Sequence, residues 1–308
     1  MRALVLSGLV AGALAGCQIA PPTSSPRPAP RPEAAAPLPS AESEAIARHF
    51  ARVEADLVAR GLLRTDGDAR DVPFSRRALV EDFIRIALYD EYVSRSGRLV
   101  ARETQSRLRR WEQPIRMGLV FGASVPAAQR DKDRAEISAY TRRLSGLTRL
   151  PIRMVDPAQA NFHVLILNED ERRAIGPQLR DLVPGIDTTA VRTIESIPRS
   201  TFCLVLAFSR GQSSTYSRAV AVIRGEHPER LRQSCIHEEL AQGLGLANDS
   251  PAARPSIFND DEEFALLTPH DALLLKILYD RRLRPGMVES EARPIVETIA
   301  AELMGGDS

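Results

Sequence analysis

Between Cys235 and Ser250 the chain reads C-I-H-E-E-L-A-Q-G-L-G-L-A-N-D-S, the stretch whose residue types and spacing come nearest to chemistry. Taken from Glu238, it falls in the register H-E-x-x-H-x-x-G-x-x-H, in which three imidazoles hold zinc and a Glu deprotonates the metal-bound water. Glu238, Gln242 and Asn248 stand at the imidazole positions, Glu239 at the general-base position and Gly245 at the turn position. Positions four apart share one face of a helix, so Glu238 and Gln242 are expected to point the same way. A carboxamide oxygen is a poor zinc donor, and a peptidase site needs three ligands plus an open position for water. Without the metal, Glu239 has no activated water to deprotonate. The three ligand positions therefore read as pseudo-ligands, Glu239 as a degenerate base, and no zinc and no catalytic residue are expected.

The literal His237-Glu238 pair does not rescue the site, because counting from His237 puts Ala241 at the second ligand position. His237 reads instead as a neutral packed imidazole or the partner of a nearby carboxylate. Oxygen donors at Glu238, Gln242, Asn248 and Asp249 leave a weak Ca²⁺ or Mg²⁺ site open, since hard cations prefer oxygen. A hydrogen-bond network among Glu238, Gln242 and Asn248 that fixes the following loop accounts for the same residues without any ion. The acidic run Asp260-Asp261-Glu262-Glu263 reads as a solvated loop. No G-x-S-x-G, P-loop or dinucleotide fingerprint is present.

The elements that must position these residues follow from periodicity. Ser40 to about Leu63 carries Ile46, Phe50, Val53 and Leu57 near helical spacing, and a second helix is expected from about Ser75 to Val93, closed by a turn at Ser94 to Gly97. A strand begins near Pro114, a helix runs from Ala127 to Leu147, and strands follow at Ile152 to Val155 and Asn161 to Leu167. His163, alternating within the last of these, reads as a hydrogen-bonded structural group. Glu169 to Ser200, rich in charge, Pro and Gly, reads as an excursion with one short helix near Asp170 to Leu182. Strands at Thr201 to Ser209 and Ser217 to Arg224 lead into the motif helix, opened by His227-Pro228-Glu229. A further helix opens at Leu267-Thr268-Pro269-His270-Asp271.

With 308 residues and 44% apolar content the chain can bury a sizeable core. Its 41 basic and 40 acidic residues are scattered, which leaves no basic stripe for nucleic acid. Arg2 followed by the short apolar run Ala3 to Ala15 has the anatomy of an export signal. It ends in Leu14-Ala15-Gly16-Cys17, which resembles the lipobox of bacterial lipoproteins and implies lipid on Cys17, with Gln18 favouring the outer membrane. An exported chain matures in an oxidising compartment, so a Cys203–Cys235 disulfide is expected, two packed thiols being the alternative. The expected organisation is a signal peptide over 1–17, a Pro-rich tether over 18–40 and a helical region over 41–107. A main domain then covers 108–284, and a C-terminal helix and tail covers 285–308.

The order of strands and helices leading into the degenerate motif resembles the N-terminal subdomain of metzincin peptidases, the matrixin-like branch in particular. Ser256-Ile257-Phe258-Asn259 falls where that family has its Met-turn. The chain as a whole, through I-H-E-E-L-A-Q-G-L-G-L and N-D-D-E-E-F-A-L-L-T-P-H-D, resembles the bacterial lipoprotein family known as domain of unknown function 2927. The resemblances imply an α+β, zincin-like fold: a mixed twisted sheet of about five strands, an active-site-type helix and a C-terminal helical subdomain, with N-terminal helices before them. The function they imply is that of a non-catalytic envelope lipoprotein, facing the periplasm, whose cleft binds a protein or peptide. The competing readings are an atypical metal-dependent peptidase, recruiting metal through Glu238 with His237 or another side chain, and a structural envelope spacer.

Overall fold

The computed structural model describes residues 37–95 and 98–305. The expected signal peptide, Cys17 and most of the tether therefore lie outside the described residues, as does Gly97 of the expected turn.

Helix α1, Ala41–Ala59, is entered through Ser40, whose Oγ accepts the Ser43 N–H at 3.1 Å and so satisfies one orphan donor of the first turn. Ile46, Phe50 and Leu57 are buried together with Leu63, Leu231 and Ala265. Helix α2, Arg76–Ala87, is capped in the same way by Ser75. The helix expected to continue to Val93 stops at Ala87, because Tyr89–Arg95 (β1) pairs antiparallel with Arg98–Gln105 (β2). Val93 stands opposite Val100 in the register, and the backbone donors and acceptors that a helix would have used are taken up by the neighbouring strand. Region 41–107 is thus two helices and a hairpin, and β1 runs through the start of the expected turn.

The main sheet has six strands: Arg110–Trp111 (β3), Ile115–Phe121 (β4), Ile152–Val155 (β5), Phe162–Leu167 (β6), Cys203–Ser209 (β7) and Thr215–Arg224 (β8). Its order is β5-β4-β6-β8-β7, all parallel except β7, with the two-residue β3 pairing parallel with the head of β8. Parallel neighbours require a crossover, and Ala127–Thr148 (α3) supplies it between β4 and β5. Every residue of β6 is buried, as a central strand covered on both faces must be. Phe162, Val164 and Ile166 pack with Ile137, Tyr140 and Leu144 of α3, whereas Leu165 and Leu167 join Leu179, Val183 and Ile194 in a second cluster. The alternation is the period of two expected of a strand. His163 Nε2 lies 3.1 Å from the Pro157 carbonyl oxygen.

The second cluster is built by the excursion. It holds three helices, Glu169–Arg173 (α4), Gly176–Leu182 (α5) and Thr188–Glu195 (α6), where one was expected. Pro177 in the first turn of α5 restarts the chain after α4, and Asp187 Oδ1 caps α6 by accepting the Ala190 N–H at 2.9 Å. Beneath these helices Glu169 binds Arg172 at 2.7 Å and Arg224 at 2.6 Å, with all three side chains almost wholly buried. Arg224 also donates to the Ile197 and Pro198 carbonyls, and Arg172 to that of Ile194. Burial opposes the Glu169 charge, but the surrounding guanidiniums of Arg172, Arg224 and Arg173 hold its carboxyl below the usual range.

Glu229–Gln242 forms α7, the motif helix, and the disulfide Cys203–Cys235 ties it to β7 with a sequence separation of 32. A bridge closing a loop of that size stabilises by about 4 kcal/mol through the unfolded chain. Pro269–Leu278 (α8) and Glu289–Met304 (α9) complete the fold. Asp271 organises the chain before α8, accepting Ser256 Oγ at 2.6 Å, the Ile257 N–H at 3.1 Å and the Thr268 N–H at 2.9 Å. The neighbouring His270 is buried 3.0 Å from Asp82 of α2 and 3.7 Å from Asp271. Burial alone would depress this imidazole, but Asp271 and Asp82 outweigh it and lift its pKa to about 9. Among the described residues no helix is long and apolar enough to cross a membrane.

Candidate functional site

A cleft of about 580 Å³ runs beside β7, with Ser200 through Ala207 along one wall and Glu238, Glu239 and Gln242 of α7 on another. Ala247, Asp249, Asp260 and Glu262 line it further, and Asp90, Arg109 and Tyr216 contribute the remaining described lining. A larger groove of about 870 Å³ lies between the start of α2 and the end of α9, but its described lining contains no His or Cys and none of the motif residues.

The helix places Glu238 and Gln242, one turn apart, on the cleft side as their spacing requires. After Gln242 the chain must turn sharply. Gly245 adopts φ +126°, and a Cβ on it would stand 2.2 Å from the Arg109 carbonyl oxygen, so this position admits only glycine. The turn is pinned by Trp111 Nε1, which donates to Gly243 O at 2.9 Å, and by the Tyr279 hydroxyl, which donates to Leu244 O at 2.9 Å.

Beyond the turn the three pseudo-ligand positions part company. Asn248 is buried away from the cleft, its N–H donating to Ile86 O at 3.1 Å and its Nδ2 to Arg85 O at 3.0 Å. Those carbonyls belong to the last turn of α2, which has no helical donors for them, so Asn248 serves that helix end. Asp249 lines the cleft in its stead and accepts Gln242 Nε2 at 2.9 Å. The structure thus groups Glu238, Gln242 and Asp249, not Glu238, Gln242 and Asn248. The network expected to fix the loop runs through Gln242 to Asp249 and, separately, from Asn248 to α2. Glu239 is buried on the cleft wall.

His237 belongs to the opposite side of α7. Its Nδ1 accepts the Leu267 N–H at 3.0 Å, and its ring stacks on Tyr140 with centroids 3.9 Å apart. Burial, then the nearby Arg143, pushes its pKa down to about 3, so the imidazole is neutral at ordinary pH. Among the described residues no three His, Cys, Asp or Glu side chains converge so as to hold a metal ion.

The acidic run is not a uniformly solvated loop. Asp260 and Glu262 line the cleft, while Glu263 binds Arg254 at 2.6 Å and Arg64 at 3.3 Å. The cause is backbone pairing: Leu63 N–H donates to Glu262 O at 2.7 Å and Arg64 N–H to Glu263 O at 2.8 Å, which anchors the run to the segment after α1. Glu262 is held at φ +58°, a conformation that non-glycine residues keep only when their surroundings impose it. Burial, followed by repulsion from Asp260 and Asp261, raises its carboxyl to about 7. At the other end Arg109 forks onto Asp90 at 2.9 and 2.7 Å. Asp90, Arg109, Tyr216 and Glu262 were not legible as site residues, because they come from distant segments with no common spacing.

No curated protein and no solved structure matches the chain. Residues 76–298 match the model of a family described as protein of unknown function (DUF2927), a span that covers α2, the whole sheet, the cleft and most of α9. The match takes in well over half of the chain, which therefore belongs to the DUF2927 family.

Proposed function

We propose that this chain is an exported, lipid-anchored envelope protein whose cleft binds an extended peptide or protein segment on a zincin-like scaffold that lacks its metal ligands. The observation that carries the reading is the cleft itself: an antiparallel edge strand, β7, runs beside the helix that bears the degenerate motif. The element order β4, α3, β5, β6, β7, β8, α7 and the glycine turn at Gly245 support the scaffold. Among the described residues β7 pairs with β8 alone; such a strand presents a row of backbone donors and acceptors, and an extended peptide can complete it by strand addition without any metal.

Zinc does not fit the residues present. Glu238 offers a carboxylate, Gln242 a carboxamide engaged with Asp249, and Asn248 is committed to α2. No imidazole reaches the cleft from α7, since His237 is spent on Leu267 and Tyr140. The described donors therefore disfavour the atypical peptidase that would recruit a metal through Glu238 with His237 or another side chain.

The test is to mix the full chain, purified in detergent, with unstructured peptides in the presence of a chelator. Reversible binding without cleavage is expected. Stoichiometric zinc that survives dialysis and disappears in Glu238→Ala, or cleavage of the peptides, would contradict the metal-free reading. Lipid anchoring at Cys17 has its own check: Cys17→Ala should move the protein from the membrane to the soluble fraction, and unchanged membrane retention would refute it.

A further inference from the structure

A second cavity, of about 560 Å³, opens at the end of the main sheet where β4, β6 and β8 begin. We infer that it binds a small organic phosphate ester, whose dianionic group is clasped between the guanidiniums of Arg116 and Arg218 with Arg210 beside them. The site is separate from the cleft, since the two described linings have only Tyr216 in common.

The sheet sets the spacing. Met117 of β4 and Ala219 of β8 both stand opposite Phe162 of β6, so one residue earlier Arg116 and Arg218 flank Asn161. The Asn161 N–H donates to Arg116 O and the Ala219 N–H to Asn161 O, both at 2.9 Å, which carries the register down to that level. Residues level with one another on parallel neighbours share a face, and by the period of two this is the face on which Val120, Leu165 and Val222 meet the excursion helices. Two strand spacings place the Arg116 and Arg218 backbones roughly 10 Å apart. That gap admits one oxyanion with a guanidinium on either side. Asn161 itself is spent on backbone, its Oδ1 accepting the Arg116 N–H at 2.7 Å and its Nδ2 donating to Pro114 O at 3.1 Å.

Each guanidinium is positioned by a carbonyl and not by an acid. Arg116 Nε donates to Gln159 O at 2.7 Å, and Arg218 Nη1 donates to Pro184 O. The Gln159 carbonyl comes within reach because residue 118 is glycine: a Cβ there would stand 2.7 Å from Ala160 Cβ and 2.8 Å from Pro157 Cα, forcing the 157–159 turn away from β4. Among the described residues Arg116, Arg210 and Arg218 make no ion pair. Elsewhere arginines with little exposure are paired, Arg109 with Asp90 and Arg232 with Asp133, both at 2.7 Å. A guanidinium has five donors in a planar fork, so Arg116 and Arg218 keep both charge and N–H groups for a ligand.

Charge selects the class of that ligand. The described lining holds three guanidiniums and one carboxylate, Asp181, an excess of two positive charges. A phosphate monoester carries close to two negative charges at neutral pH and cancels the excess, whereas a monocarboxylate leaves half of it. Trp111, Leu182 and Pro184 of the same lining give the organic body an apolar surface, and the volume is that of a small-molecule pocket.

The test titrates the full chain, in detergent and phosphate-free buffer with a chelator, with phenyl phosphate, benzoate and dihexanoyl phosphatidate. Binding is read by calorimetry and by the emission of Trp111, the one tryptophan of the sequence. Phenyl phosphate should bind at least about tenfold more tightly than benzoate, alter the Trp111 emission, and lose at least about tenfold in affinity in Arg116→Gln and in Arg218→Gln. Arg218→Lys, which keeps the charge without the fork, should recover part of the Arg218→Gln loss. Arg153→Gln, exposed on β5 and outside the cavity lining, should bind like the unaltered chain, and an equal loss there would reduce the effect to general attraction by surface arginines. Thermal melting establishes that each variant is folded. Tighter binding of the phosphatidate than of phenyl phosphate would assign the site to a lipid headgroup, and the reverse order to a soluble ester, both being phosphate monoesters. Equal affinity for phenyl phosphate and benzoate would overturn the selection of a dianion, and binding of none of the three would overturn the site.

Discussion

Two regions of this molecule concentrate carboxylates, and they are built on opposite plans. Beneath α4 to α6, Glu169 is enclosed by Arg172 and Arg224, and those guanidiniums are in turn satisfied by the carbonyls of Ile194, Ile197 and Pro198. In the cleft, carboxylates of α7, of the turn after it and of the 260–262 loop stand on a wall open to a ligand. A buried charge must be matched inside the protein, because water cannot reach it. The difference teaches how position sorts carboxylates in this fold: the enclosed set holds the structure, and the set on the cleft wall lies where a ligand would meet it.

The contrast breaks first at Glu169. Glu169→Ala would leave two buried guanidiniums without their carboxylate, and stability should fall by about 4 kcal/mol in urea unfolding. A loss below about 1 kcal/mol would place this set among ordinary surface pairs.

His270 sharpens the same side of the comparison through pH. Its folded pKa is raised to about 9 from the ordinary imidazole value of 6.5, so the pairing with Asp82 and Asp271 contributes fully below the unfolded pKa. That contribution is lost as pH rises from 6.5 through about 9, and it amounts to roughly 3 kcal/mol at about 1.4 kcal/mol per pKa unit. Unfolding of the chain against His270→Gln across this range should show the difference between them shrinking as pH rises. A difference that stays constant would mean that the imidazole is neutral throughout.

The smallest effect is expected in the cleft. Asp260→Asn should change stability by less than about 0.5 kcal/mol, since Asp260 is exposed where it lines the cleft. A loss approaching that of Glu169→Ala would erase the distinction between the two regions.

Much of this architecture was readable from the residues. The strands of the main sheet, the long α3 and α7 and the Cys203–Cys235 pairing were expected from apolar runs, helical spacing and the export-signal anatomy of the first residues. The readings that failed did so where distant contacts decide. Tyr89 to Val93 reads as helix until β2 is available to pair with it. The 260–263 run reads as solvated loop until Leu63 and Arg64 bind its backbone. Within the motif, a fixed ligand spacing assigns the third position to Asn248. Which of Asn248 and Asp249 enters the cleft depends on the bare carbonyls at the end of α2, and no local pattern encodes those.

Whether β7 accepts a strand without metal is read most directly by hydrogen–deuterium exchange of the full chain at the Cys203–Ser209 amides, with a saturating unstructured peptide and a chelator present. The predicted result is slowed exchange at alternate β7 amides, with the peptide recovered intact. Unchanged exchange along β7, or protection that appears only when zinc is supplied, would contradict it.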